Sequence, residues 1–262
     1  MLSSTFCSFS APAPVDRAAF NHRRDAGHGD DRQAAQRITD GLQLLASTLD
    51  PGRRIVRAGE SIYHAGQPFS HLYILNSGIF KLLTVSAEGR EQVVGLRFRG
   101  DWLGFAGIAK GSYACDAVAL DTGEVWAVRY DALLAACAKH PALMVLLHEA
   151  MSGEIARDRD SMTSVCTLPA DARVADFLRS WADNLARRGL RIDQITLCMT
   201  RAEIGNYLGL TLETVSRALS KLARLQLISF AQKGRREIGI PDVRQLEAFV
   251  QQSLAQPSRT LQ

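Results

Sequence analysis

No stretch of this chain is apolar for long enough to span a bilayer, and no early basic run precedes an apolar segment at its start. Neither a membrane anchor nor a signal peptide is therefore expected. Cysteine is sparse: the five thiols stand far apart, at positions 7, 115, 137, 166 and 198, an odd number that argues for reduced thiols and a cytoplasmic protein. Spacings that mark a reaction are missing too. There is no phosphate-cradling P-loop, nucleophile elbow, dinucleotide fingerprint or metal-ligand run, so an enzyme is not expected. Charge of one sign is scarce, at a net +4 over 262 residues. Residues 169–250 carry 13 Lys and Arg against 9 Asp and Glu, so that segment holds the whole surplus. Binding to nucleic acid must then come from the placement of charge rather than its total. The 47% hydrophobic content is enough for real cores, and the length accommodates two domains and a connection.

The most informative segment is 200–228. Thr200 followed by Glu203 forms a capping box that opens a helix, with Ala202, Ile204 and Leu208 as its apolar side. Gly209 supplies a tight turn, and Thr211 caps a second helix. Leu212, Val215, Leu219, Leu222 and Leu225, three and four apart, form the core stripe of that helix. Glu213, Thr214, Ser216, Arg217 and Lys221 lie on or beside its outward arc. Arg pairs with guanine O6/N7, Glu accepts from cytosine N4, and Ser serves a base edge or a phosphate. The sequel, Leu227 to Phe230 and Glu237 to Ile240, reads as two short strands. The turn joining them carries Lys233, Arg235 and Arg236, suited to phosphate contact.

Upstream, residues 1–36 read as a flexible tail, and Gly41 to Asp50 as a short helix. From Arg53 to about Tyr130, short apolar runs separated by turns indicate an all-β barrel or jelly roll. These runs are Ile62–His64, His71–Leu75, Gly78–Val85, Gln92–Leu96 and Glu124–Val128. Pro141 opens a long helix to about Thr167. Its seam, Met144, Leu147, Met151, Ile155, Asp158, Met162 and Val165, fits pairing of two copies or packing on the chain's own barrel. In a dimer, Asp158 would meet its mate near the axis and disfavour association. The boundaries are 37–138 for the barrel, 139–168 for the dimerisation helix, 169–250 for the winged helix-turn-helix and 251–262 for a C-terminal tail.

Met199 to Arg217, Met151 to Ile155 and Gly100 to Phe105 resemble the family of the cyclic-AMP receptor protein and the fumarate and nitrate reduction regulator, most closely the latter branch, over about residues 40 to 245. The resemblance implies an α+β chain: a cyclic-nucleotide-binding-like β-roll, a long dimerisation helix and a C-terminal winged helix-turn-helix. It further implies a homodimer on double-stranded DNA at a TTGAT-N4-ATCAA-like palindrome. Arg217 would read the guanine, Glu213 would fix its C·G pair and Ser216 would support the neighbouring A·T step. The turn at Ala87 to Arg90 corresponds to the family's contact with RNA polymerase, with Arg90 in place of an acidic residue. Activation and repression both stay open.

Departures from the family bear on its effectors. Phe105, Cys115 and Asp116 stand where cyclic AMP would meet a Glu and an Arg-Ser pair, which argues against that ligand. Arg24, Gly27, Gln33 and Trp126 stand where the iron-sulfur branch has cysteines, and only Cys7 lies in the N-terminal region. No cofactor is expected. Haem stays open through His64, His71, His140 and His148, whose spacings match no metal motif. Cys115 reads as packing or a redox thiol, and Cys166 as a surface thiol or an intersubunit bridge.

Overall fold

Two antiparallel sheets form because the apolar residues of the N-terminal half alternate. In the computed structural model, which describes residues 28–230 and 236–255, Leu72 and Ile74 point to one face of a strand while Tyr73 and Leu75 point to the other. Helix α1 (His28–Leu49) leads into β1 (Gly52–Val56), β2 (Ser61–Tyr63), β3 (His71–Leu75), β4 (Phe80–Val85), β5 (Glu91–Arg97), β6 (Trp102–Leu103), the short α2 (Ala106–Lys110), β7 (Asp116–Ala119) and β8 (Gly123–Arg129). The sheet orders are β1-β8-β3-β6 and β2-β7-β4-β5. Between the sheets lie Val56, Leu75, Phe80, Leu82, Leu103 and Val125, making the β-roll the sequence pattern implied.

Helices α3 (Tyr130–Lys139) and α4 (Pro141–Thr167) follow, with Pro141 in the first turn of α4, where its missing N–H costs nothing. At 27 residues, α4 is about 40 Å long. Beyond it come α5 (Ala170–Ala186), β9 (Gln194–Thr196), α6 (Arg201–Leu208), α7 (Leu212–Arg224), β10 (Ser229–Phe230), β11 (Glu237–Gly239) and α8 (Val243–Ala255). The small sheet β10-β11-β9 and α5 to α8 enclose Trp181, Ile195, Ile204, Val215, Leu219 and Leu246. That core continues into the β-roll through Leu83, Val93 and Phe98. The chain is thus α+β, with the C-terminal domain seated on its own roll.

Several boundaries shift. The first helix begins at His28, inside the segment read as a tail, because Leu42 and Leu45 anchor its end against α3 and α4. Its N-terminal turn carries Asp30 and Asp31, which suit the helix dipole. At the other end, α8 runs to Ala255, past the expected boundary at 251, with Leu246 and Val250 buried.

The long helix is divided along its length. Leu147 is 5% exposed in a cluster with Leu42, Leu45, Leu133 and Leu143, and Met144 and Met151 pack against that cluster. Within one copy, α1 and α3 cover this side of the first half of α4. Ile155 and Met162 are 59% and 70% exposed. Val165 is half-buried, and Asp158 lies 3.7 Å from Arg97.

Candidate nucleic-acid interface

The helix-turn-helix is held at both ends by local chemistry. Thr200 Oγ1 accepts from Glu203 N at 3.2 Å while Glu203 Oε2 accepts from Thr200 N at 2.8 Å, completing the capping box. Gly209 ends α6 in the left-handed conformation, φ 65°, and a backbone bond from Leu210 N to Gly205 O closes the turn. A Cβ on Gly205 would stand 2.6 Å from Leu210 O, so the two helices meet there only because a side chain is lacking. Arg173 of α5 donates to Leu208 O at 2.7 Å and to Leu168 O at 3.0 Å, tying down carbonyls at the ends of α6 and α4.

Helix α7 begins at Thr211, whose Oγ1 accepts from Thr214 N at 3.2 Å. Its buried face is Val215, Ala218, Leu219 and Leu222. Leu212 and Leu225, expected in that stripe, are 46% and 50% exposed, because they stand at the first residue and the C-cap of a 13-residue helix whose centre alone is covered. Glu213 and Arg217 stand exposed on the opposite arc, with Ser216 half-buried beside them. Lys221 follows Arg217 by one helical turn, at the edge of the same arc. Its Nζ is 2.5 Å from Asp171 Oδ2, so the last turn of α7 is tied to the first turn of α5. Lys233 and Arg235 lie outside the described residues, whereas Arg236 is exposed at the start of the strand that follows.

Arg201, which sequence reasoning passed over, is the first residue of α6, and its Nη1 donates to Ser216 Oγ at 3.1 Å. Beside it is a notch of about 230 Å³ whose lining includes Met199, Thr200, Arg201, Leu219 and Arg236. Nothing in the spacing of 15 residues marks this pair, since it joins two helices across the turn.

Tyr63 stacks on Tyr113 with ring centroids 4.0 Å apart, and Tyr73 lies 5.5 Å from Tyr63, so aromatic rings fill this part of the β-roll interior. Burial pushes Tyr73 up to about 12. The Asp116 carboxylate accepts from Ala65 N at 2.7 Å and lies 3.2 Å from His64 Nδ1. Phe105 stacks on Trp102, and burial pushes the Cys115 thiol up despite its bond to Tyr63. Asp116 thus brings a negative charge to this end of the roll, and the Phe105 side chain offers no hydrogen-bond acceptor. His71 Nδ1 is 2.8 Å from Ser70 Oγ. Among the described residues, no group of three His, Cys, Asp or Glu could hold a metal ion, and no helix is long and apolar enough to cross a membrane.

A capped helix-turn-helix with a small sheet, seated on a β-roll, is the architecture of a DNA-binding transcription regulator. Residues 53–140 match the cyclic nucleotide-binding domain, and residues 172–249 match the Crp-like helix-turn-helix domain. The chain is 34% identical over 183 residues to the fumarate and nitrate reduction regulatory protein of Escherichia coli, covering 70% of this chain and 72% of that one. It is 34% identical over 181 residues to the protein of the same name from Yersinia pestis. Among solved structures, FixK2 from Bradyrhizobium japonicum is similar with a TM-score of 0.65 and 29% identity, over 76% of this chain and 96% of that one. The chain belongs to the CRP/FNR family of transcription regulators.

Proposed function

We propose that the chain binds double-stranded DNA as a homodimer at a TTGAT-N4-ATCAA-like palindrome and thereby activates or represses transcription. The observation that carries the reading is the exposure of Glu213 and Arg217 on one arc of α7, opposite the buried Val215, Ala218, Leu219 and Leu222. One such helix reads few bases, so two copies would place their α7 helices about 34 Å apart in successive major grooves. Exposed Ile155 and Met162 on α4 supply the apolar part of the seam between copies. Asp158 lies beside it and tunes the monomer-dimer balance, with Arg97 offsetting part of its charge. Thr211, Thr214 and Arg236 complete the contact set around α7, together with Lys233 and Arg235, which lie outside the described residues. The exposed turn at 87–90 is assigned to RNA polymerase.

We further infer that the effector is neither a cyclic nucleotide nor an iron-sulfur cluster. The stacked Tyr63 and Tyr113, together with the engaged Asp116, support the first statement. The scarcity of N-terminal cysteines supports the second, since thiolates are the ligands such a cluster needs.

Fluorescence anisotropy with labelled duplexes tests the site. The palindrome should be bound more tightly than a scrambled duplex, with affinity falling steeply as salt rises. Arg217→Ala should cost about 1–3 kcal/mol and relax choice at the guanine. Equal loss on every duplex would make Arg217 a phosphate contact and reject its role as a base reader.

A further inference from the structure

Ser216 and Ser220 lie one turn apart on α7 and use their hydroxyls in opposite senses. Ser220 Oγ donates to Ser216 O at 2.8 Å, the usual use of a helical serine proton. Ser216 Oγ instead accepts from Arg201 Nη1 at 3.1 Å. A serine oxygen has one proton to give and two lone pairs to offer. With a charged guanidinium on one lone pair, the oxygen is a poorer acceptor and its O–H a better donor.

We propose that Arg201 is a positioning residue for sequence choice: it holds Ser216 as a hydrogen-bond donor, so that the protein rejects cytosine at the base Ser216 faces. This rests on the reading of α7 as the helix that enters the major groove. Adenine, guanine and thymine each present an acceptor there, while cytosine presents only its N4 amino donor. A serine free to turn would serve either kind of edge and discriminate little. The Arg201 bond takes one of the two lone pairs and biases the hydroxyl toward donating. Arg201 enters the groove's chemistry through the oxygen it orients, across the turn between α6 and α7.

The test uses the full chain and a set of palindromic duplexes in which each half-site position is varied through all four base pairs. For wild type, one position should show cytosine on the contacted strand bound roughly two- to tenfold more weakly than the other three bases, the range for a single hydrogen bond. Arg201→Met should flatten that position while leaving the guanine preference set by Arg217 in place, which also attests an intact fold. Ser216→Ala should flatten it equally, and the double variant should fall no further. A cytosine penalty that survives in Arg201→Met, with all duplexes weakened alike, would show Arg201 to be a phosphate contact and overturn the proposal. Wild-type protein indifferent to the palindrome would instead overturn the DNA site itself, an outcome told apart by the absence of any preferred base.

Discussion

Asp101 Oδ2, at the turn before β6, lies 3.1 Å from Arg188 Nη2, just beyond the end of α5. The same carboxylate group reaches Arg157 of α4 at 3.6 Å and accepts from Phe98 N at 2.8 Å. Three parts of the molecule, the β-roll, the long helix and the C-terminal domain, therefore converge on one carboxylate. Arg188 also donates to Arg99 O at 2.8 Å and lies over the Phe98 ring, which meets Trp181 edge-on. Burial pushes Arg188 down to about 10, so at neutral pH it stays charged and depends on Asp101 for compensation.

Asp101→Asn should accordingly destabilise the whole chain. Removing one partner of a buried pair costs about 3–5 kcal/mol, because a buried charge is left unmatched. Urea unfolding followed by tryptophan fluorescence checks this, and the C-terminal domain should become sensitive to protease before the roll does. An unchanged midpoint would mean that Arg157 and Arg188 find compensation elsewhere.

Gly205→Ala tests the helix-turn-helix independently of charge. The added Cβ would press on the Leu210 carbonyl and push α6 from the turn, at a cost of about 1–3 kcal/mol. A lower unfolding midpoint and weaker binding to DNA should appear together. Alanine normally favours a helix interior over glycine, so a stabilised protein would contradict the close approach.

The contact between roll and reader should weaken in acid. Burial raises the Glu203 carboxyl, but Lys81, at 2.5 Å, and Thr200 outweigh it and hold the group below its ordinary 4.5. A depressed carboxylate contributes stability that is present above the unfolded value and is lost as pH falls through the lower, folded one. The midpoint of unfolding should therefore drop below about pH 4.5 more steeply in wild type than in Glu203→Gln. Parallel pH profiles for the two proteins would show that Glu203 is not the titrating group.

Pairing of copies should respond to the exposed half of α4. Ile155→Glu should yield monomer in sedimentation, since it places a charge in the apolar seam. Asp158→Ala should tighten association by removing like charges near the axis, the effect being reduced by the Arg97 partner at 3.7 Å. Dimerisation constants equal to wild type in both variants would place the interface elsewhere.

Much of the reader was legible in short-range pattern. Thr200, Glu203, Gly209 and Thr211 act within a few residues, so their spacing states their bonds, and Pro141 marks the start of α4 for the same reason. The bond between Lys221 and Asp171 was not legible, because the two lie 50 residues apart and a cation at the edge of a polar arc does not name its partner. That Leu147 is covered by the chain's own helices was not legible, because an apolar stripe does not name what covers it. Asn206 was passed over although its side chain accepts from Val93 N at 2.6 Å and donates to Glu91 O at 2.7 Å, pinning α6 to the edge of β5.

By itself, the sequence determined the two kinds of domain, the capped turn and the polar arc of Glu213 and Arg217, because helix periodicity and capping are set by neighbours along the chain. Only the tertiary structure decided that Arg201 grips Ser216, that Asp101 joins three elements, and that half of α4 is spent on its own roll. Those are contacts between segments distant in sequence, whose side chains find one another through the packing of the cores beneath them.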